Sequence, residues 1–217
     1  MNVLVKVLLF LYVRKLKTIY PLKKAAMKTS FLFLANGFEE IEALTAVDVL
    51  RRAGINVKTV SITDSLQVTG AHDVTVNADV LFANTDFSDA YWLILPGGMP
   101  GASNLAACTH LNELLLTHYK KNGKIAAICA APAVVLAPLG ITDGKEATCY
   151  PGFEEKMSKA KKAIEPVVIS KNLITAAGPS AAMQFALAIV SVSIDEKTAY
   201  EIAAGMLLYP QHHNYFF

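Results

Sequence analysis

Short runs of continuous apolar residues alternate along the chain with segments of helical periodicity. Ser30-Phe-Leu-Phe-Leu-Ala35 has no polar side chain after the serine, which predicts a strand buried on both faces, and Gly37 breaks it. From Glu39 to Ala53, Ile41, Leu44, Val47 and Leu50 recur at helical spacing and predict a helix with those residues toward the core. Acids cluster in its first turn, where the helix dipole favours them, and Gly54 stands where a C-terminal stop is expected. Glu39 and Glu40 are expected to face solvent, with Glu42 bordering the apolar face. Ile55–Ile62 reads as a second strand, and Val74–Val80 as a more polar strand pair near a sheet edge. Tyr91–Leu95 is a third apolar strand, ended abruptly by Pro96-Gly97-Gly98. Residues 108–121 read as a helix, Lys124–Ile128 as a strand and Ala130–Leu139 as a further helix. Val167–Ile169 and Leu173–Thr175 flank Lys171-Asn172 as a hairpin. Gly178-Pro179 then opens an apolar helix over Ser180–Val192, and Ala199–Leu208 is read as the last helix.

Apolar strands alternating with helices predict a mainly parallel sheet covered on both faces, in one α/β domain. Such sheets place their sites beyond the carboxyl ends of the strands. Residues 36–42, 96–101, 129–132 and 177–181 are therefore the places to look for chemistry.

Composition supports a full core, being 53% hydrophobic and only 18% charged over 217 residues. The formal net charge of +2 is unevenly placed. Lys6, Arg14, Lys15, Lys17, Lys23 and Lys24 lie in residues 1–26 with no acid among them, so the remainder is mildly acidic and offers no nucleic-acid surface. The apolar run Val3–Val13 is shorter than the roughly 20 residues that span a bilayer, and its charge follows rather than precedes it. Residues 1–26 are thus expected to be an extension outside the fold, 27–209 the domain and 210–217 a tail, with no membrane partner for the domain. Three cysteines, Cys108, Cys129 and Cys149, with no CxxC pair, argue against a disulfide framework or a cysteine-rich zinc site and point to the cytoplasm.

Cys129 directly follows the strand ending at Ile128 and precedes Ala130-Ala131-Pro132. That predicts a nucleophile elbow, a tight strand-to-helix turn that needs small neighbours. A helix N-terminus behind it is expected to lower the thiol pKa. Glu42, desolvated near an apolar face, is expected to have a raised pKa and to share a proton with a thiolate. Pro96-Gly97-Gly98-Met99-Pro100-Gly101 allows backbone amides to turn into a crevice and hold an oxyanion, but its spacing is neither GxGxxG nor a P-loop. Among the histidines, His72 alone is singled out as able to reach the site. No histidine stands beside Cys129, so a cysteine–histidine pair of the protease kind has no local partner, and no His/Cys/Asp cluster has ligand spacing for a metal.

Taken together, Phe33-Leu-Ala-Asn-Gly37-Phe-Glu-Glu-Ile-Glu42, Asp48-Val-Leu-Arg-Arg-Ala-Gly54, Leu95-Pro-Gly-Gly98, Ala126-Ala-Ile-Cys129-Ala130 and Gly178-Pro179 with Phe185-Ala-Leu-Ala-Ile189 resemble the ThiJ/PfpI family over residues 28–208. The resemblance implies a flavodoxin-like three-layer sandwich and a homodimer. It implies that Cys129 is an oxidation-sensitive nucleophile, that Glu42 is a protonated partner of its thiolate, and that the Gly98 and Ala130 amides form an oxyanion hole. Gly97, Tyr150, Gly178, Pro179 and His72 would edge the pocket, with Arg51 and Arg52 near the interface or crevice. Tyr150 stands where members of the deglycase-like branch carry a histidine, which counts against a peptidase and leaves the general base open.

The leading expectation is a cofactor-free, cysteine-dependent enzyme acting on small reactive carbonyls of the methylglyoxal class or on glycated substrates. The alternative is a redox-sensing, chaperone-like stress protein using the same cysteine. An intracellular cysteine peptidase ranks third.

Overall fold

The computed structural model describes residues 28–208; the expectations for residues 1–26 and for the tail lie outside the described residues. The first strand, β1 (Ser30–Leu34), is buried throughout, and α1 (Glu40–Arg52) follows it. The chain continues through β2 (Val57–Ser61), β3 (Gln67–Thr69), β4 (Thr75–Asn77), β5 (Val80–Leu81) and β6 (Trp92–Leu95). Next come α2 (Gly101–Ala107), α3 (Thr109–Lys120) and β7 (Lys124–Ile128). After β8 (Glu146–Ala147) and β9 (Lys161–Lys162), β10 (Val167–Ser170) and β11 (Leu173–Ala176) form a hairpin, and α4 (Ala182–Ser193) and α5 (Glu196–Gly205) close the fold.

Among the described residues, seven strands form one sheet in the order β10-β11-β7-β6-β1-β2-β5, parallel except for β10. Alternate residues of each central strand enter opposite cores. Leu32, Leu34, Trp92, Ile94, Ala126 and Ile128 pack beneath α1, α4 and α5. Phe31, Phe33, Leu93, Leu95, Ile125 and Ala127 pack beneath α2 and α3. Both faces are dry, which is why these strands read as unbroken apolar runs. The architecture is a flavodoxin-like α/β sandwich.

Several elements depart from the sequence expectation. The segment after Cys129 is a single π-helical turn, Pro132–Leu136, rather than a helix over 130–139. Val74–Val80 divides between two sheets: β4 pairs with β3 in a separate ribbon, and β5 forms an edge of the main sheet. The glycine-rich turn runs into α2, whose start at Gly101 hid it from a reading by propensity. The last helix begins earlier than Ala199, because Asp195 caps it by accepting a 2.7 Å bond from the Thr198 N–H.

The core face of α1 is also rotated from the one expected. Ala43, Ala46, Val47, Val49 and Leu50 are buried, while Ile41 and Leu44 are 57% and 42% exposed. Glu39, Glu40 and Glu42 are all buried, contrary to the solvent-facing place expected for the first two. A helix start wedged between two loops explains this: Glu39 donates its N–H to the Gly97 carbonyl (3.0 Å), and its side chain caps the helix. The predicted stop at Gly54 holds. Gly54 takes φ +75°, and the Ile55 N–H closes back on the Leu50 carbonyl at 3.0 Å.

Candidate active site

The central strands β1, β6 and β7 lie side by side, and the turns after their carboxyl ends converge. Cys129 follows β7 with φ +64°, in the left-handed region that non-glycine residues rarely occupy. Two backbone bonds hold it: its N–H donates to Ala176 at the end of β11 (2.9 Å), and its carbonyl accepts the Tyr150 N–H (2.8 Å). The elbow is therefore imposed from β11 on one side and the 148–151 loop on the other. The residue is 7% exposed.

The Glu42 carboxyl and the backbone N–H groups of Gly98 and Ala130 are the polar groups that act on the Cys129 sulfur. Glu42 is completely buried. Its Oε2 accepts the Gly97 N–H at 2.7 Å, and its own N–H donates to Glu39 Oε2 at 2.7 Å. Its Oε1 has no hydrogen-bond partner among the described residues. An ionised carboxylate would leave that oxygen's charge uncompensated in an apolar surrounding, a cost that a proton relieves. Burial accordingly pushes Glu42 up to about 7, against the pull of the Gly97 amide.

Cys129 moves in the opposite direction to the expectation. Burial, and then the charge of Glu42, push its thiol up to about 12, outweighing the Gly98 and Ala130 amides. The predicted lowering relied on a helix behind the elbow, and the π turn there supplies no long dipole. The two groups titrate as one unit, because a negative charge on either opposes a charge on the other. At neutral pH the pair carries at most one negative charge.

The structure brings Cys129, Glu42, Gly97, Gly98 and Ala130 together. Tyr150 borders them through its bond to the elbow, and its ring lies 3.2 Å from where a Cβ on Gly178 would sit, so that glycine makes room for it. Pro179 opens a short 3₁₀ turn beyond β11. His72 is not among this group. Its Nδ1 lies 2.8 Å from Glu40 Oε2, its N–H donates to Glu40 Oε1 at 2.7 Å, and its ring is largely exposed. No local pattern signals this pair, nor that Glu39, Glu40 and His72 bring ligand-type atoms within 4.8 Å of one another. Most of those atoms already serve the helix cap and the ion pair. Arg51 and Arg52 instead bind Asp79 and Asp48, each at 2.7 Å. Cys149 is buried, its thiol pushed up to about 11 by desolvation, and all three cysteines are free.

A parallel α/β sandwich with a cysteine on an elbow beside a buried carboxyl defines a class of thiol-bearing flavodoxin-like proteins. The profile of the DJ-1/PfpI family matches residues 28–192, and the chain belongs to that family. A Caenorhabditis elegans relative named "Glutathione-independent glyoxalase DJR-1.2" is 38% identical over 169 residues, 76% of this chain and 89% of that protein. "Protein DJ-1 homolog B" of Arabidopsis thaliana is 32% identical over 86% of this chain, which spans only 43% of its length. The solved structure "Toxoplasma gondii DJ-1, oxidized" superposes with a TM-score of 0.79 at 36% identity, covering 82% of this chain and 97% of that one. Among the described residues, no helix is long and apolar enough to cross a membrane.

Proposed function

We propose that the protein is a cofactor-free enzyme that converts small 2-oxoaldehydes of the methylglyoxal class to 2-hydroxy acids. The observation that supports this most is the buried Glu42 carboxyl held beside Cys129 across Gly97, whose missing Cβ would lie 3.0 Å from the sulfur and 2.9 Å from Glu42 Oε2. In the reacting form the pair's single proton resides on Glu42, and the sulfur is the thiolate. A protonated Glu42 no longer opposes charge on the sulfur and donates an O–H to it.

The thiolate adds to the aldehyde carbon and forms a C–S bond, and the carbonyl electron pair becomes an alkoxide. The Gly98 and Ala130 amides face that oxygen; one such donor is typically worth about 3 kcal/mol. Glu42 protonates the alkoxide to give a hemithioacetal. Its carboxylate then takes the C1 proton and returns it at C2 while the hydroxyl proton on O1 passes to O2, giving the thioester of the 2-hydroxy acid. Such positioned proton transfer contributes roughly 10²–10⁴-fold. Water cleaves the thioester, releasing the acid and the thiol. The sum is aldehyde plus water to hydroxy acid, with no external oxidant or reductant.

The test is lactate formation from methylglyoxal, followed by NMR, for the wild type, Cys129→Ala and Glu42→Gln. The wild type should turn over and both variants should fall to the buffer rate; a wild type at the buffer rate overturns the reading.

A second reading, redox sensing, is favoured by the same donors around a low-exposure sulfur. Two equivalents of peroxide would oxidise the thiol to a sulfinic acid with release of two waters, and Glu42 and the amides would hold its oxygens. Mass spectrometry after mild peroxide should then show a gain of two oxygens confined to the Cys129 peptide. Equal oxidation of Cys108 and Cys149 would sink it.

A further inference from the structure

A second set of charged groups lies at the opposite end of the sheet from Cys129. The Asn172 carbonyl accepts the Ile125 N–H at the start of β7, whereas Cys129 follows the end of that strand. Around the β10–β11 turn, Gly144, Lys145, Glu146, Lys161, Ser170 and Lys171 line a cavity of about 220 Å³. A neighbouring cavity of about 450 Å³ shares Glu146 and Lys161 and continues along β10 past Lys162, Val167 and Ile169.

Three lysines and one glutamate line the smaller cavity, and among the described residues none of the three lysines has an ion-pair partner. Lys145 is held in place: its Nζ is 3.4 Å from Asn172 Oδ1 and 5.4 Å from the centre of the Tyr119 ring. Lys161 is tied to it through the backbone, its N–H donating to the Lys145 carbonyl at 2.8 Å. Lys171 is the third. It takes φ +58° as the first residue of a two-residue hairpin turn, a place where glycine is favoured. A cation therefore stands where the backbone would be better served without a side chain.

We propose that this pole binds a small phosphorylated organic molecule, its phosphate held by Lys145, Lys161, Lys171 and the Ser170 hydroxyl and its body lying in the adjoining cavity along β10. Several ammonium groups and a hydroxyl suit a phosphate dianion, for which lysine acts as a point-charge partner. The larger cavity adds the apolar walls of Val167 and Ile169, with Glu146 available to accept a donor from the organic part. This site is separate from the carbonyl chemistry and does not rest on it.

The experiment is an NMR titration of the full-length ¹⁵N-labelled chain with phenyl phosphate and with inorganic phosphate, at constant ionic strength set with chloride. Phenyl phosphate should shift the Gly144, Ser170 and Lys171 amides saturably and bind more tightly than inorganic phosphate. Lys145→Gln and Lys161→Gln should each weaken it by roughly tenfold. Lys171→Gly should weaken it similarly while raising the melting temperature, which separates loss of the site from loss of the fold. Cys129→Ala should bind phenyl phosphate like the wild type. Unchanged affinity in the lysine variants, equal shifts with chloride alone, no preference for phenyl phosphate, or tighter binding of a single-stranded oligonucleotide would each overturn the proposal.

Discussion

Glu42 and Cys129 meet across the space left by a missing side chain. A Cβ on Gly97 would lie 2.6 Å from Cys129 Cβ and 2.9 Å from Glu42 Oε2. The same residue donates the 2.7 Å backbone bond that orients the carboxyl. Gly97→Ala must therefore push the two groups apart. Overpacking of this kind costs about 1–3 kcal/mol, and a misplacement near 1 Å costs about a hundredfold in rate. Denaturant melts should show a modest loss of stability, and methylglyoxal turnover a much larger loss. Wild-type turnover in the alanine variant would mean that the pair's spacing is unimportant.

The shared proton predicts how thiol reactivity follows pH. Iodoacetamide alkylation of Cys129 should show a first, partial rise with the first ionisation of the pair, at about 7, below the 8.5 of a free thiol, and its full rise only toward about 12, where the second proton leaves. In Glu42→Gln no carboxylate can take up the thiol proton, so the buried sulfur must ionise alone. Its alkylation profile should move above 8.5. Identical profiles for the two proteins would show that the carboxyl does not carry the thiol proton.

The same carboxyl makes stability depend on pH. Its folded pKa, about 7, lies above the ordinary 4.5, so between those values the folded state binds the proton that the unfolded chain releases. This contribution is fully present below pH 4.5 and is lost as pH rises to about 7. At 1.36 kcal/mol per pKa unit it amounts to at most about 3 kcal/mol. Urea unfolding of the wild type and of Glu42→Gln across that range should diverge, the glutamine variant lacking this part of the fall.

His72 should titrate above the ordinary histidine value, because the Glu40 carboxylate hydrogen-bonds its ring and attracts its charge. Burial acts to raise Glu40, but the bonds from His72 outweigh it and hold it below the ordinary value. The ion pair is thus complete between the lowered Glu40 pKa and the raised His72 pKa, and is lost as pH rises through the latter or falls through the former. NMR titration should show the His72 value dropping in Glu40→Gln. An unmoved value would remove the pair as its cause.

Ile41 and Leu44 leave an apolar strip on the outer face of α1. We propose that it is covered in a homodimer. Light scattering should give the mass of two chains for the wild type, with Ile41→Glu shifted toward one; a monomeric wild type overturns this.

Much of the framework was legible in the residues. Central strands buried on both faces have to be apolar at every position, so β1, β6 and β7 announce themselves and fix a covered parallel sheet. Cys129 between Ile128 and two alanines, and Gly97-Gly98 after Leu95, show where backbone can approach a reactive atom, because each feature depends on local chain geometry. The rest depended on contacts distant in sequence. Periodicity gives a helix a face but not its rotation, so only packing against α4 and the sheet decided that Glu42 lies inward and Ile41 outward. His72 and Glu40 pair across 32 residues through a ribbon whose register no local pattern records. The direction of the thiol's pKa was also beyond the sequence. A helix N-terminus behind the elbow suggests a lowered value, but desolvation and the facing Glu42 charge arise only when separate loops close over the sulfur, and in this protein they dominate.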